Sequence, residues 1–159
     1  MLKLRSIHKS YHDGESELEV LRGIDLDLDA GQSLALLGAS GNGKSTLLQI
    51  AAGLEEPDSG KVSLLGTPLD GLDEKGMALL RRRHLGFVFQ QFNLLPGLNV
   101  EDNLLFQRRL YGLRDRDGWL DDLVSMLELA PLLQRPVEVL SGGQQQRVAI
   151  ARAMAHKPD

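Results

Sequence analysis

Apolar and polar residues alternate along the first thirty positions as the strands of a half-exposed sheet require. Residues 18–21 and 24–28 both have a period of two, which places apolar side chains on one face and polar ones on the other. A further run over 60–66 is bounded by glycines, which commonly end strands. The pattern therefore predicts antiparallel strands within about residues 2–30 and over 60–66.

Two other short runs are more continuously apolar. Residues 33–37 form a run typical of a strand buried on both faces of a parallel sheet. Residues 85–89 also have the composition of a strand. We expect the first to be a buried parallel strand and the second to be a strand as well.

Helical spacing predominates elsewhere. Gly53 and Pro131 are the expected stops of the first and last helices, and Asn99 is suited to cap the third. Basic residues in the last turn of the second helix suit its dipole. The four helices predicted on this basis cover residues 46–52, 73–83, 100–106 and about 118–129.

A glycine-rich loop joins the run at 33–37 to the first helix. It matches G-x-x-x-x-G-K-S/T, a loop whose backbone N–H groups surround a chain of phosphates at a helix N-terminus. Lys44 can reach the β- and γ-phosphates, and the Ser45 hydroxyl is placed to coordinate Mg²⁺. The predicted phosphate-binding residues are Gly38, Ala39, Ser40, Gly41, Asn42, Gly43, Lys44, Ser45 and Thr46.

A second candidate anion site lies about a hundred residues further on. Ser141 is a good N-cap for an amphipathic helix with apolar positions at Val148, Ile150, Ala151 and Met154. The start of this helix exposes backbone donors within the sequence LSGGQ, which comprises Leu140, Ser141, Gly142, Gly143 and Gln144.

The two motifs, in this order and at this distance, resemble the ATP-binding-cassette (ABC) ATPases, whose signature sequence is LSGGQ. The resemblance covers essentially the whole chain. It implies an α/β fold of the P-loop NTPase type, with a RecA-like parallel sheet core, an antiparallel β subdomain and an inserted α-helical subdomain. The expected single domain, 1–159, comprises the core and antiparallel part at 1–92, the helical subdomain at 93–140 and the signature helix at 141–159.

The resemblance also assigns roles to residues outside the phosphate loop. Gln90 matches the Q-loop glutamine, which contacts Mg²⁺ and the attacking water and senses the membrane partner; Gln91 is the neighbouring alternative. Tyr11 matches the aromatic residue that stacks on adenine. Ser141 and Gly143 would contact the γ-phosphate held by a second copy, so a head-to-tail homodimer would enclose two ATP molecules. With Lys44, Gln90 would act in catalysis.

In the family, the signature helix leads into a strand that ends in Asp-Glu, and a later histidine contacts the γ-phosphate. The present sequence ends at Asp159, where that strand would begin. We therefore expect an N-terminal fragment that lacks the catalytic glutamate, turns over little or no ATP and leaves the phosphate-loop strand as an exposed, aggregation-prone edge.

Composition limits the kinds of partner that the chain is expected to bind. A formal charge of −4 argues against nucleic acid bound through a basic face. The absence of cysteine excludes disulfides and thiolate metal sites. The N-terminus has no hydrophobic signal region, and no run approaches the roughly 20 apolar residues of a membrane span. We expect attachment to the cytoplasmic face of the inner membrane through a permease subunit.

Three functions remain open on these observations. Residues 87–96 and 99–103 look most like the lipoprotein-releasing and macrolide-exporter branch of transport ATPases. The second is a cassette ATPase that does not drive transport. The repair type carries cysteine zinc modules, which a chain without cysteine lacks, and the chromosome type inserts a long coiled coil, whereas the interval here is short and not heptad-repetitive. The ribosome-associated type therefore remains. The third is a nucleotide-binding fragment without catalysis. We favour the transporter ATPase for the whole gene product.

Overall fold

Antiparallel strands dominate the first part of the chain. The computed structural model describes residues 1–14, 16–114 and 117–158. In it, β1 (Leu2–Asp13) pairs with β2 (Ser16–Leu28) and β3 (Ser59–Leu64), and β3 pairs with the short β4 (Thr67–Pro68). The order across the sheet is β2-β1-β3-β4, with antiparallel pairing throughout. The predicted antiparallel strands are confirmed.

Alternating apolar residues give this sheet its buried face. Leu4 on β1 is fully buried and lies opposite Leu26 on β2 and Val62 on β3. Ile7 is also fully buried, and a register shift between Leu4 and Ile7 accompanies the change of spacing. The period-two pattern therefore places the apolar side chains on one face, as the sequence predicts.

Five α-helices are present in the described residues, close to the predicted positions. They are α1 (Lys44–Ala51), α2 (Glu74–His84), α3 (Val100–Leu110), α4 (Gly118–Met126) and α5 (Gly142–Met154), with 3₁₀ turns at Ala130–Leu132 and Val137–Val139. Asn99 caps α3 by accepting a hydrogen bond from the Asp102 N–H at 2.7 Å, as predicted. Gly53 follows the end of α1 with a φ of 63°, in agreement with its predicted role as the stop.

The chain forms two compact units, Met1–Arg81 and Arg82–Asp159. The second unit contains one apolar core, in which α5 packs against α3 and α4 through residues such as Leu104, Val124 and Val148. This packing places the signature helix among the helices that precede it. The subdomain bounds predicted at 92/93 and 140/141 stay a prediction.

The two runs predicted as buried or strand-like segments differ from expectation. Residues 33–37 and 85–89 form no strand, and neither belongs to the one sheet found in the described residues. Leu34 and Leu37 are 53% and 90% exposed, so the first run is not buried either. A strand exists only where a neighbour accepts and donates its ladder hydrogen bonds, and the described residues supply no such neighbour. The two local strand predictions are therefore wrong.

Candidate nucleotide-binding site

The glycine-rich loop leads directly into α1, and its last residue packs against β2. Gly43 is the N-cap of α1 and has a φ of 74°, in the left-handed region that favours glycine. A Cβ at this position would come within 2.7 Å of Val20 Cγ1 and 2.9 Å of Leu21 Cδ2. Both the backbone angle and the contact with β2 therefore require glycine at the point where the loop becomes a helix.

Lys44 bends back over the loop. Its ammonium donates hydrogen bonds to the carbonyls of Gly38 and Ala39, at 2.9 and 2.5 Å. The positive charge is thus held at the loop, next to the helix N-terminus, where the backbone dipoles also attract an anion. Hydrogen bonds between an ammonium and phosphate oxygens are stronger than those to neutral carbonyls, so a bound phosphate can replace these carbonyls as partner.

Tyr11 of β1 lies against the first turns of α1. Its hydroxyl donates to Glu55 Oε1 at 2.7 Å and lies 3.3 Å from Thr46 Oγ1. Burial, the largest cause, raises the pKa of Tyr11, and the hydrogen bond to Glu55 acts in the same direction. The Lys9 ammonium lies 5.6 Å from the ring centroid. Tyr11 is 40% exposed, so it has accessible surface beside the phosphate loop.

The signature sequence forms an exposed helix N-terminus in the second unit. The Ser141 hydroxyl accepts from the Gln144 N–H at 3.3 Å, while the Gln144 side chain accepts from the Ser141 N–H at 2.9 Å. This reciprocal capping box fixes the start of α5. Gly142 and Gly143 follow within its first turn, and a Cβ on either would meet no atom within 4 Å. The N-terminus of α5 is therefore open to an external group.

Gln90 lies in an exposed turn of the same unit. The Phe92 N–H donates to the Phe89 carbonyl at 2.9 Å, and the Asn93 N–H donates to the Gln91 carbonyl at 2.7 Å. Phe92 and Asn93 have φ values of 61° and 46°, an arrangement that costs on the order of 1 kcal/mol or more per residue without glycine. Neighbouring groups must hold this turn in place.

The structure brings some of the predicted residues together. Tyr11, Lys44, Ser45 and Thr46 lie at one place in the first unit, where Ser45 is exposed in the first turn of α1. Gln90 lies in the second unit with the signature residues. Sequence reasoning missed Glu55, whose only signal is its position two residues after the glycine that ends α1.

Two further findings concern clusters of possible metal ligands and membrane-spanning helices. Within the described ranges, no group of three or more histidine, aspartate or glutamate side chains is placed to hold a metal ion. Over the same residues, no helix combines the length and apolar character that crossing a membrane requires.

Comparison with known proteins agrees with the geometry. The sequence model of the ABC transporter family matches residues 21–159, a range that includes both the phosphate loop and the signature. The chain belongs to the ABC transporter family of ATPases. The resemblance inferred from the two motifs is thereby confirmed.

Relatives of this ABC cassette are similar over its whole length. It is 44% identical to YbbA of Escherichia coli, an uncharacterized ABC transporter ATP-binding protein, over 100% of this chain and 71% of that protein. It is also 44% identical to LolD of Paramagnetospirillum magneticum, a lipoprotein-releasing system ATP-binding protein, over 99% of this chain and 70% of that protein.

Solved cassettes share the fold. The dimeric structure of MJ0796, a bacterial ABC transporter cassette, superposes with a TM-score of 0.90 at 36% identity, covering 99% of this chain and 71% of that one. A post-hydrolysis state of MJ0796 bound to ADP and Pi gives a TM-score of 0.89 at 36% identity, with the same coverage. The predicted fold class, an α/β P-loop NTPase cassette with an antiparallel sheet and a helical part, is confirmed.

Proposed function

We propose that this cassette binds ATP at the loop of residues 38–46 and that, in the whole gene product, ATP hydrolysis drives a membrane transporter. The observation that carries the proposal is the Lys44 ammonium, held 2.9 Å from the Gly38 carbonyl at the N-terminus of α1. A fixed cation and a helix N-terminus at one loop form a site for a polyphosphate.

ATP is the nucleotide that best fits the neighbouring groups. Tyr11 offers an aromatic surface for adenine next to the loop, and a flat ring accepts a base without demanding particular hydrogen bonds. A relative with this fold has been solved with ADP and Pi. We assign the loop to the phosphates and Tyr11 to the base.

The oxygen atoms available near the proposed site suit a Mg²⁺ ion that binds together with the nucleotide. Magnesium prefers oxygen ligands and is usually bound by substrate phosphates with few protein groups. The exposed Ser45 hydroxyl and the exposed Gln90 amide oxygen are donors of this kind. When bound, the ion neutralises phosphate charge during transfer. By resemblance to the family, each of the two is assigned a contact with the ion, and Gln90 would also orient the attacking water.

A second copy would complete the site. The open N-terminus of α5 exposes Ser141, Gly142 and Gly143 with no Cβ to block an approaching phosphate. We propose a head-to-tail homodimer in which this terminus meets the γ-phosphate bound by the other copy's loop. The dimeric form of a related cassette supports this arrangement.

The transport process that we propose is inferred from the names of the relatives. LolD proteins are named as ATP-binding parts of lipoprotein-releasing systems, and the family is that of transporters. We propose that the chain serves lipoprotein release or export, at the cytoplasmic face of the inner membrane and through a permease. A cavity of about 190 Å³ beside Gln91, lined by Leu94, Val137 and Gln145 among others, lies next to the turn that carries Gln90.

Substitution of Lys44 tests the proposal. Lys44→Ala removes the cation, and we expect the Mg-ATPase activity of the whole gene product to fall on the order of 100-fold or more. Lys44→Arg should also fail, since a planar guanidinium does not replace a compact ammonium. Lys75→Ala, on the exposed side of α2, is the matched control and should keep the parental rate. Parental hydrolysis by Lys44→Ala would refute the assignment of the loop.

A further inference from the structure

The last turns of α5 contact the Gln90 turn on both of its sides. Gln90 itself lies between residues 85–86 and residues 92–93, and each pair touches the C-terminal part of the helix that begins with the signature. All of these groups belong to the second unit. One helix therefore connects two elements of the proposed site.

On the C-terminal side the contact is made by Arg152. Its Nη1 donates to the Asn93 carbonyl at 2.7 Å and its Nη2 donates to the Phe92 carbonyl at 2.9 Å. Both residues of this turn have positive φ values although neither is glycine. A guanidinium presents two parallel donors in a rigid fork, so a single side chain holds both carbonyls of the strained turn.

On the N-terminal side the contact is made by His156 and a glycine. The Nε2 of His156 lies 3.1 Å from the Leu85 carbonyl, and the imidazole stacks on Tyr111 at 4.3 Å between ring centroids. A Cβ on Gly86 would lie 2.5 Å from the Ala153 carbonyl, so only glycine permits the backbone to come this close to α5. The chain before Gln90 is therefore anchored to the same helix.

We propose that Arg152 is a positioning residue for Gln90. The fork of Arg152 holds the turn, and His156, just after the end of α5, anchors the chain before it. This inference rests on the proposed function, because the contribution of Gln90 to turnover is part of that proposal.

Arg152→Met removes the fork while keeping an unbranched side chain. A displacement of the Gln90 amide should lower kcat of the whole gene product about 10- to 100-fold. ATP binding occurs at the loop of residues 38–46 in the other unit, so KM for ATP should stay within about twofold of parental. Arg152→Lys retains the charge without the second parallel donor and should give an intermediate kcat.

Arg147→Met is the matched control on the same helix. Arg147 forms an exposed ion pair with Glu128 at 2.6 Å, and such pairs contribute little. This variant should keep the parental kcat. The double variant Gln90→Ala/Arg152→Met should be no slower than Gln90→Ala alone, because Arg152 acts through Gln90.

Two kinetic results would overturn the inference. One is a parental kcat for Arg152→Met, and the other is a double variant whose loss equals the product of the two single losses. Both leave the loop and its Lys44 assignment intact, so they are distinguishable from failure of the proposed function, which would abolish ATP hydrolysis or its dependence on Lys44.

Amide hydrogen exchange of the full chain gives a second test that needs no turnover. In Arg152→Met, the amides of residues 91–93 should exchange faster than in Arg147→Met, while those of α1 should not change. Unchanged exchange at 91–93 would overturn the inference even if the parental chain hydrolysed no ATP. Should Arg152→Met unfold, the same comparison is made with Arg152→Lys, where faster exchange at 91–93 supports the inference and unchanged exchange refutes it.

Discussion

At the scale of single residues, the contribution of Tyr11 to binding the base can be measured separately from its support of the loop. Its hydroxyl is tied to Glu55 at 2.7 Å and lies near Thr46, while its ring remains partly exposed beside the phosphate loop. If the ring stacks on adenine, Tyr11→Ala should weaken ATP binding by about 5- to 150-fold, which corresponds to the 1–3 kcal/mol of a base–aromatic stack. Titration calorimetry of the full chain with ATP measures this change.

Tyr11→Phe keeps the ring and removes the hydroxyl, so it should bind ATP nearly as well as the parental chain. Inorganic triphosphate supplies the matched ligand control: it has no base, and its affinity should be the same for Tyr11→Ala as for the parental chain. Equal losses for ATP and triphosphate would show that Tyr11 supports the loop and does not contact the base.

At the scale of elements, a buried arginine ties together the three long helices of the second unit. Arg108 of α3 is 1% exposed. It donates one hydrogen bond of 2.6 Å to Asp117 Oδ2, next to the start of α4. It donates another, of 2.7 Å, to the Ala155 carbonyl at the end of α5. Asp117 also caps α4 by accepting from the Leu120 N–H at 3.0 Å. Asp117→Ala should therefore lower the free energy of unfolding by about 2 kcal/mol, from loss of the cap and of the partner of a buried charge.

The same contacts predict an acid dependence. The hydrogen bond from Leu120, followed by that from Arg108, lowers the pKa of Asp117 in the folded chain. Its stabilisation is complete above the ordinary carboxyl pKa and is lost as pH falls through the lowered folded value. Denaturant unfolding of the parental chain and Asp117→Ala should thus converge at acid pH. Asp122→Ala, an exposed change on the same helix, should differ from parental at no pH; a constant difference for Asp117→Ala would contradict this account.

At the scale of the whole molecule, the proposed site is complete only in a dimer. Ser141→Arg or Gly143→Asp would put bulk or negative charge at the open N-terminus of α5, where the other copy's γ-phosphate is proposed to dock. Either change should abolish dimerisation induced by a non-hydrolysable ATP analogue with Mg²⁺, while ATP binding to one copy stays unchanged. Light scattering coupled to size exclusion measures both species.

Ser125→Arg adds the same bulk and charge on the exposed side of α4 and should dimerise like the parental chain. This control separates a local effect at the signature from a general effect of added charge. Normal dimers from both Ser141→Arg and Gly143→Asp would rule out the sandwich arrangement.

Local patterns predicted elements well wherever an element satisfies its own backbone. The helices capped by Asn99 and Ser141 appear where the caps stand, because a cap and the four N–H groups it serves are neighbours in sequence. The runs at 33–37 and 85–89 failed as strands because a strand also needs a pairing partner, which β1, β2 and β3 find in one another but which the described residues supply to neither run.

The sequence by itself determined the family of this chain, because LSGGQ and the glycine-rich loop with Lys44 and Ser45 are motifs of contiguous residues whose backbone geometry is encoded locally. Only the tertiary structure decided which side chains support these motifs. Glu55 reaches Tyr11 across 44 residues of sequence, and Arg152 reaches Asn93 across 59. Such contacts form when helices and strands pack, and no local periodicity records them because each partner is an ordinary surface residue in its own segment.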